Sequence, residues 1–370
     1  MTLEATDSKK RWTKQDLIDN LLKGGLKEGD TAVIYSSIMD FGVPELNGEH
    51  ICHFYLDALF RVLGENGILV ITAYTYSFCD GKDFDPWTTR STVNVIANYC
   101  IDNGIGVRTV DPVFSYLLVT LHDLRLFEHY QRSKLSQNYK GAAVQAGLFP
   151  FSCLENAPYS GSDSCAENDE CCWQAPPEVS QYNLVRTLSF TNDCLRFDEP
   201  SITSFLLARK ARYVMLGWCY YMTFIHNVER RDGNAYRFLK SFTGKVKTRF
   251  NGSWDMDAED YTCYYYVRVF CPNTVADKRK CFQALCRWPD FDSGPESCVY
   301  LPLGASWMIC ASLEYMIANI EKCNREDPLW YCTGPELSDK ELLALKSGMV
   351  EECDMDIRTY LVADLNDRWK

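Results

Sequence analysis

Two apolar runs constrain this chain most: TAVIYSS, beginning at Thr31, and GILVITAYTY, beginning at Gly67. Neither shows the polar alternation of a strand with one face in water, and turn residues precede both, so both read as strands buried in a covered sheet. Between them an amphipathic segment runs through Leu63 and ends at Gly64. The order is strand, helix, strand, and a layered α/β architecture covers such strands on both faces.

Other segments extend the pattern. WTKQDLIDNLLKGG opens with Thr13 as N-cap and Asp16 at capping-box spacing, with Trp12 able to staple to Leu17 before the Gly24-Gly25 stop. A helix is expected from Ser91 to Ile101 and another in ITSFLLARK, followed by ARYVMLGW as a central strand. TCYYYVRVF reads as a further strand, SWMICASLEYMIANIEKC as one long helix, and SDKELLALKSG as a last helix with Ser338 and Glu341 at capping-box spacing. The expected organisation is one domain over residues 1–332, with a polar, cysteine-containing insertion near 153–181 and a helical appendage over 333–370.

Composition narrows the function classes. A formal charge of −12 supplies no basic footprint for nucleic acid and disfavours anionic membranes, while it can draw in a cationic substrate. MTLEATDSKKRW lacks the apolar core of an export signal, and no apolar run approaches the roughly 18 residues needed to span a bilayer. A cytoplasmic protein is expected. The 18 cysteines are scattered without a Cys-x-x-Cys pair, so reduced thiols are expected rather than a disulfide framework. The cluster Cys153, Cys165, Cys171 and Cys172 fits no familiar zinc spacing. His50, Cys52 and His53 in EHICH suit helix-start chemistry and packing better than ligation, and no metal is expected.

GWCYYMTFIHNVERRDG places His226 three residues ahead of Glu229 and three behind Thr223. On a helix all three share a face. An imidazole ordinarily titrates close to neutral pH, which suits a general base, and spacing alone equally allows a core histidine bonded to either neighbour.

KEGDTAVIYSSIMDFG, GILVITAYTYSF, FDPWTTRS, VRTVDPVFS, MLGWCYYMTFIHNVE and NAYRFLK occur in one colinear series, closed by LPLGASWMICASLEYMIANIEKCNREDPLWY. This series, from about Asp16 to Tyr331, resembles the aminoglycoside 3-N-acetyltransferase family. The resemblance implies a three-layer α/β/α sandwich with a central mixed sheet, acetyl-CoA as cosubstrate and a small-molecule amine as acceptor. It implies His226 as general base, with Glu229 orienting the ring, stabilising its charged form or holding the acceptor ammonium, and with Thr223 reaching the thioester oxygen or the ring. Ser36, Ser37, Thr88, Thr89, Ser91 and Arg108 match cofactor-side positions. Asp85 and Asp111 would line the acceptor cleft. Asp111 stands where the family usually carries histidine, Arg90 where it carries proline and Asn94 where glycine is common, so the expected acceptor departs from a typical aminoglycoside antibiotic: an aminoglycoside-like compound, an amino sugar or a natural-product amine. The alternative is a non-catalytic coenzyme-A-binding protein of the same fold. The sequence leaves the oligomeric state open.

Overall fold

In the computed structural model the described residues are 11–132, 197, 201–217, 223–232, 237–247, 258–268, 275–276, 298–327, 330–333, 338 and 340. The insertion at 153–181 with its four cysteines, Cys219, and nearly all of the expected C-terminal helix lie outside them.

The sequence signals for the first helix act as expected. Thr13 accepts from the Asp16 amide and Asp16 returns a bond to the Thr13 amide, starting α1 (Lys14–Lys23), with Trp12 and Leu17 buried in one cluster. The chain continues through β1 (Thr31–Ser36), α2 (Ile51–Leu63), β2 (Ile68–Thr72), α3 (Val95–Asn103), β3 (Val107–Arg108), β4 (Tyr116–Thr120) and α4 (Leu121–Arg132). Then come α5 (Ile202–Ala208), β5 (Arg212–Leu216), α6 (Phe224–Asp232), a long ribbon of β6 (Arg237–Lys247) and β7 (Ala258–Arg268), and β8 (Val275–Ala276). The last elements are β9 (Val299–Leu303), β10 (Ser306–Ser312), α7 (Leu313–Glu326) and β11 (Cys332–Thr333).

Among the described residues seven strands form the central sheet, in the order β3-β4-β2-β1-β5-β10-β9. β1 pairs in parallel with β2 and with β5, because α2 carries the chain back across one face and α5 returns it to β5. The flanking strands β4 and β10 run antiparallel to these.

Alternation along each strand divides the core. Val33, Tyr35, Val70, Tyr116, Tyr213, Met215 and Ile309 pack with α5, α6 and α7. Their neighbours Ala32, Ile34, Leu69, Ile71, Val214 and Met308 pack with α1, α2, α3 and α4. The result is the expected three-layer α/β/α sandwich around a mixed sheet.

Two expected boundaries are corrected. The long helix read in SWMICASLEYMIANIEKC is strand β10 followed by helix α7, with Ser312 as N-cap accepting from the Tyr315 amide. A short, wholly apolar run fits either element, and here the open edge of β5 takes Met308–Ser312 as its antiparallel partner. The helix expected from Ser91 starts only at Val95, because Asn94 caps it by accepting from the Ile96 and Ala97 amides.

His50 is the N-cap of α2, with its Nδ1 accepting from the Cys52 amide and its ring stacked on Tyr99 at 4.4 Å. Cys52, Cys100 and Cys310 are buried free thiols. Burial pushes Cys52 up to about 11 and Cys310 up to about 12, so neither is a nucleophile at neutral pH. Among the described residues no helix is long and apolar enough to cross a membrane.

Candidate active site

The parallel strands β1, β2 and β5 all end on one edge of the sheet, at Ser36, Thr72 and Leu216. β4 runs the other way and begins at Tyr116 opposite Thr72, so the loop before it, residues 109–115, reaches the same edge. Ligand sites of open α/β sheets form at such carboxyl ends. β1 and β5 leave the sheet in contact: the Ser37 amide donates to Leu216 O at 2.7 Å. Gly217 is required there, since its φ is +80° and a Cβ would stand 2.4 Å from Ser37 O.

His226 lies on this side, on the first turn of α6. Its Nδ1 is 3.1 Å from Glu229 Oε2, and the other carboxylate oxygen accepts from Tyr331 Oη at 2.5 Å. Glu229 is wholly buried while the His226 side chain keeps 20% exposure, so the ring connects an internal carboxylate to the surface. Thr223 precedes α6, its carbonyl accepting the His226 amide at 2.8 Å and its side chain close to the Tyr74 hydroxyl. Tyr74 donates to Tyr116 at 2.6 Å and lies 3.1 Å from the Tyr35 hydroxyl, which gives a buried column of phenols beneath the histidine. Phe114 packs 5.9 Å from the His226 ring and 5.3 Å from Tyr74, between centroids.

Asp111 supports this wall. It is 5% exposed, and its Oδ1 accepts from the Val113 and Phe114 amides at 2.8 and 2.7 Å, which fixes the turn that presents Phe114. Asp85 sits on another turn, accepting from the Trp87 amide and pairing with Lys247 of β6 at 3.0 Å. Its turn bonds Thr88 and Thr89 to the Asp85 carbonyl, and the Asp85 amide returns a bond to Thr89 Oγ1.

The remaining positions divide by exposure. Ser36 is buried and donates to Asn94 Oδ1, and Asn94 in turn donates to Thr72 Oγ1, lacing the ends of β1 and β2 to the start of α3. Ser91 is buried and donates to Tyr74 O. Arg108 is 2% exposed, and its guanidinium is spent on Thr89 O, Ala73 O and Ser115 Oγ while lying 4.9 Å over the Phe84 ring. Burial draws it down to about 9 against the opposing charges of Asp85 and Asp111, which leaves it cationic at neutral pH. Ser37 is half-buried and its hydroxyl caps nothing in the turn that follows, and Thr88 is exposed. Met39 and Val43, just beyond Ser37, are 69% and 66% exposed.

No protein-family profile matches the chain, and no curated protein matches it. Solved structures do. The apoenzyme of aminoglycoside acetyltransferase AAC(3)-IVa aligns with a TM-score of 0.54 at 16% identity, over 91% of this chain and 98% of its own. AAC-IIIb, in a binary complex with CoASH, gives 0.53 at 12% identity over 86% and 97%. A variant of AAC(3)-IVa in complex with a gentamicin gives 0.52 at 15% identity over 88% and 93%. The chain has the aminoglycoside acetyltransferase fold.

On this acetyltransferase fold, the structure brings Thr223, His226, Glu229, Asp111 and Ser36 to one edge of the sheet. Tyr74, Tyr116, Phe114 and Tyr331 join them and were not marked by sequence pattern. A Thr-x-x-His-x-x-Glu face is visible in one segment, whereas Tyr331 is 102 residues from Glu229 and no local spacing connects them.

The phenol column has a consequence in alkali. Burial, then the neighbouring Tyr116 and Tyr35, raise Tyr74 well above its ordinary value. The folded chain therefore retains a proton that the unfolded chain gives up near pH ~10, so stability present below that range falls as pH rises through and beyond it. Spectrophotometric titration should show a set of tyrosines ionising only together with loss of the circular-dichroism signal. Full tyrosine ionisation with the fold intact would contradict the burial of the column.

Proposed function

We propose that the chain is a coenzyme-A-dependent N-acyltransferase that transfers an acetyl group from acetyl-CoA to an amine, with His226 as general base. The observation that carries this reading is the His226–Glu229 pair, part-exposed at the ring and buried at the carboxylate, at the ligand-binding edge of an acetyltransferase fold.

With Glu229 ionised the carboxylate only accepts hydrogen bonds, and the 3.1 Å contact then supports a proton on His226 Nδ1 with Nε2 as the basic atom. Both oxygens of Glu229 are engaged inside the protein, which favours an orienting role over capture of the acceptor's ammonium. His226 takes the proton from the acceptor nitrogen as that nitrogen bonds to the thioester carbon. The carbon–sulfur bond breaks, the sulfur leaves with the electron pair, and the imidazolium supplies the proton that makes the free thiol. No covalent enzyme intermediate is needed, and the burial of Cys52 and Cys310 agrees with direct attack.

The residues present fit such a cosubstrate. Ser37 offers a hydroxyl at the end of β1, Thr88 another on the turn after Asp85, and exposed Met39 and Val43 give apolar surface for an extended pantetheine arm. Ser36, Ser91 and Arg108 enter as the frame that holds these segments, and Asp111 enters through the Phe114 wall of the acceptor side. The acceptor class is an amine of an aminoglycoside-like, amino-sugar or natural-product compound.

The test is release of free thiol from acetyl-CoA by the purified chain with a panel of aminoglycosides, amino sugars and diamines. Acceptor-dependent release supports the reading. Its absence across the panel, with coenzyme A still bound, leaves a binding protein of the same fold. Ser37→Ala should weaken coenzyme A binding by about fivefold, the loss of one hydrogen bond of roughly 1 kcal/mol. Calorimetric titration measures it, and unchanged affinity would take Ser37 out of the site.

A further inference from the structure

We propose that Tyr331 is a positioning residue that sets both the orientation and the protonation balance of the His226–Glu229 pair. The inference rests on the acyl-transfer reading above and extends it to a residue from the segment after α7. Tyr331 is 4% exposed and Glu229 is wholly buried, so the bond between them is sealed from water. Its 2.5 Å length is that of a phenol donating to an ionised carboxylate.

Two effects follow. With Oε1 held by Tyr331, the carboxylate cannot turn about its axis, and Oε2 is presented to His226 Nδ1 at 3.1 Å. This keeps Nδ1 as the protonated nitrogen and Nε2 as the base. The phenol also takes up part of the carboxylate's negative charge, so Glu229 stabilises the imidazolium less than it would alone. The ring therefore remains neutral, and ready to accept a proton, at lower pH than with an unshared carboxylate.

Other charged and titratable groups face α6 along its length. Tyr74 meets Thr223, and Asp111 acts through the Phe114 turn beside the ring. At the far end of the helix, beside Arg230, Arg231 pairs with Asp232 and with Glu321 of α7, and Arg325 lies near Asp232. Tyr331 reaches the carboxylate itself from a different element.

The experiment follows the His226 ring by NMR across pH in the full chain, with the resonance assigned by its disappearance in His226→Gln. Tyr331→Phe should raise the ring's titration midpoint by about half a unit or more, as expected for removing a donor from the charged partner. The acid limb of kcat/KM for thiol release should move the same way, with kcat falling several-fold. A midpoint that is unchanged or lower in folded Tyr331→Phe overturns the proposal. Should that variant not fold, fluorotyrosine introduced at position 331 supplies a stronger donor and the opposite sign: a lower midpoint is expected, and an unchanged one overturns the proposal. In a Glu229→Gln background, Tyr331→Phe should no longer move the midpoint, whereas a shift of equal size would mean that Tyr331 does not act through Glu229. The NMR readout needs no acceptor. Thiol release absent with every amine would remove the acyl-transfer reading, while the midpoint by itself decides Tyr331.

Discussion

Replacing His226 with glutamine is expected to lower acceptor-dependent thiol release by about a hundredfold or more, the usual loss when a general base is removed. The fold should survive. The side chain keeps 20% exposure, and glutamine can still donate to Glu229, whose other oxygen remains on Tyr331. What glutamine cannot do is accept a proton at neutral pH. Turnover close to that of the parent, in a variant with unchanged circular dichroism and an active acceptor in hand, would remove His226 from the mechanism. A loss confined to KM would instead assign it to acceptor binding.

Arg108→Met should cost stability rather than selectively weaken coenzyme A binding. The guanidinium satisfies two backbone carbonyls, Ala73 O and Thr89 O, and Ser115 Oγ, all within a site that is 2% exposed. Methionine fills much of the volume and donates to none of them. Each buried acceptor left without its donor costs on the order of 1–3 kcal/mol; Ala73 O keeps the Ser115 hydroxyl at 3.0 Å, so the loss falls on Thr89 O and Ser115 Oγ and a total of about 2 kcal/mol or more is expected. Lysine would recover little, because one ammonium cannot span the fork between the two carbonyls. Urea unfolding measures the loss. A variant with the parent's midpoint and weaker coenzyme A affinity would give the opposite assignment, an arginine that contacts phosphate.

This contrast shows where sequence is informative. The strand-helix-strand unit of β1, α2 and β2 was legible because continuous apolar blocks and Gly64 mark it without reference to the rest of the chain. The capping box of Thr13 and Asp16 was legible for the same reason. His226 and Glu229 could be paired from a spacing of three on one helix. The nature of the Met308–Ser312 segment was not legible, since its apolar residues suit a strand or a helix and the choice rests with the edge of β5. β4 and its helix α4 were missed in a stretch with no strong punctuation between them. Arg108 carries the charge of a surface residue, and only the carbonyls folded around it explain its burial. Tyr331 reaches Glu229 from a remote segment, so its role depends on the tertiary structure alone.

The strand order also governs how the protein must be made. β5 lies in the middle of the finished sheet, yet its outer neighbour β10 is synthesised some ninety residues later, between Ser306 and Ser312. Until then, a growing chain that has already assembled β3, β4, β2, β1 and β5 carries Tyr213, Val214, Met215 and Leu216 on an unpaired edge, the kind of edge that invites pairing between chains. The carboxylate beneath the histidine waits longer still for Tyr331. Sheet closure and completion of the site thus both depend on segments that emerge well after β5, and a polypeptide cut short before Ser306 would be sticky as well as incomplete.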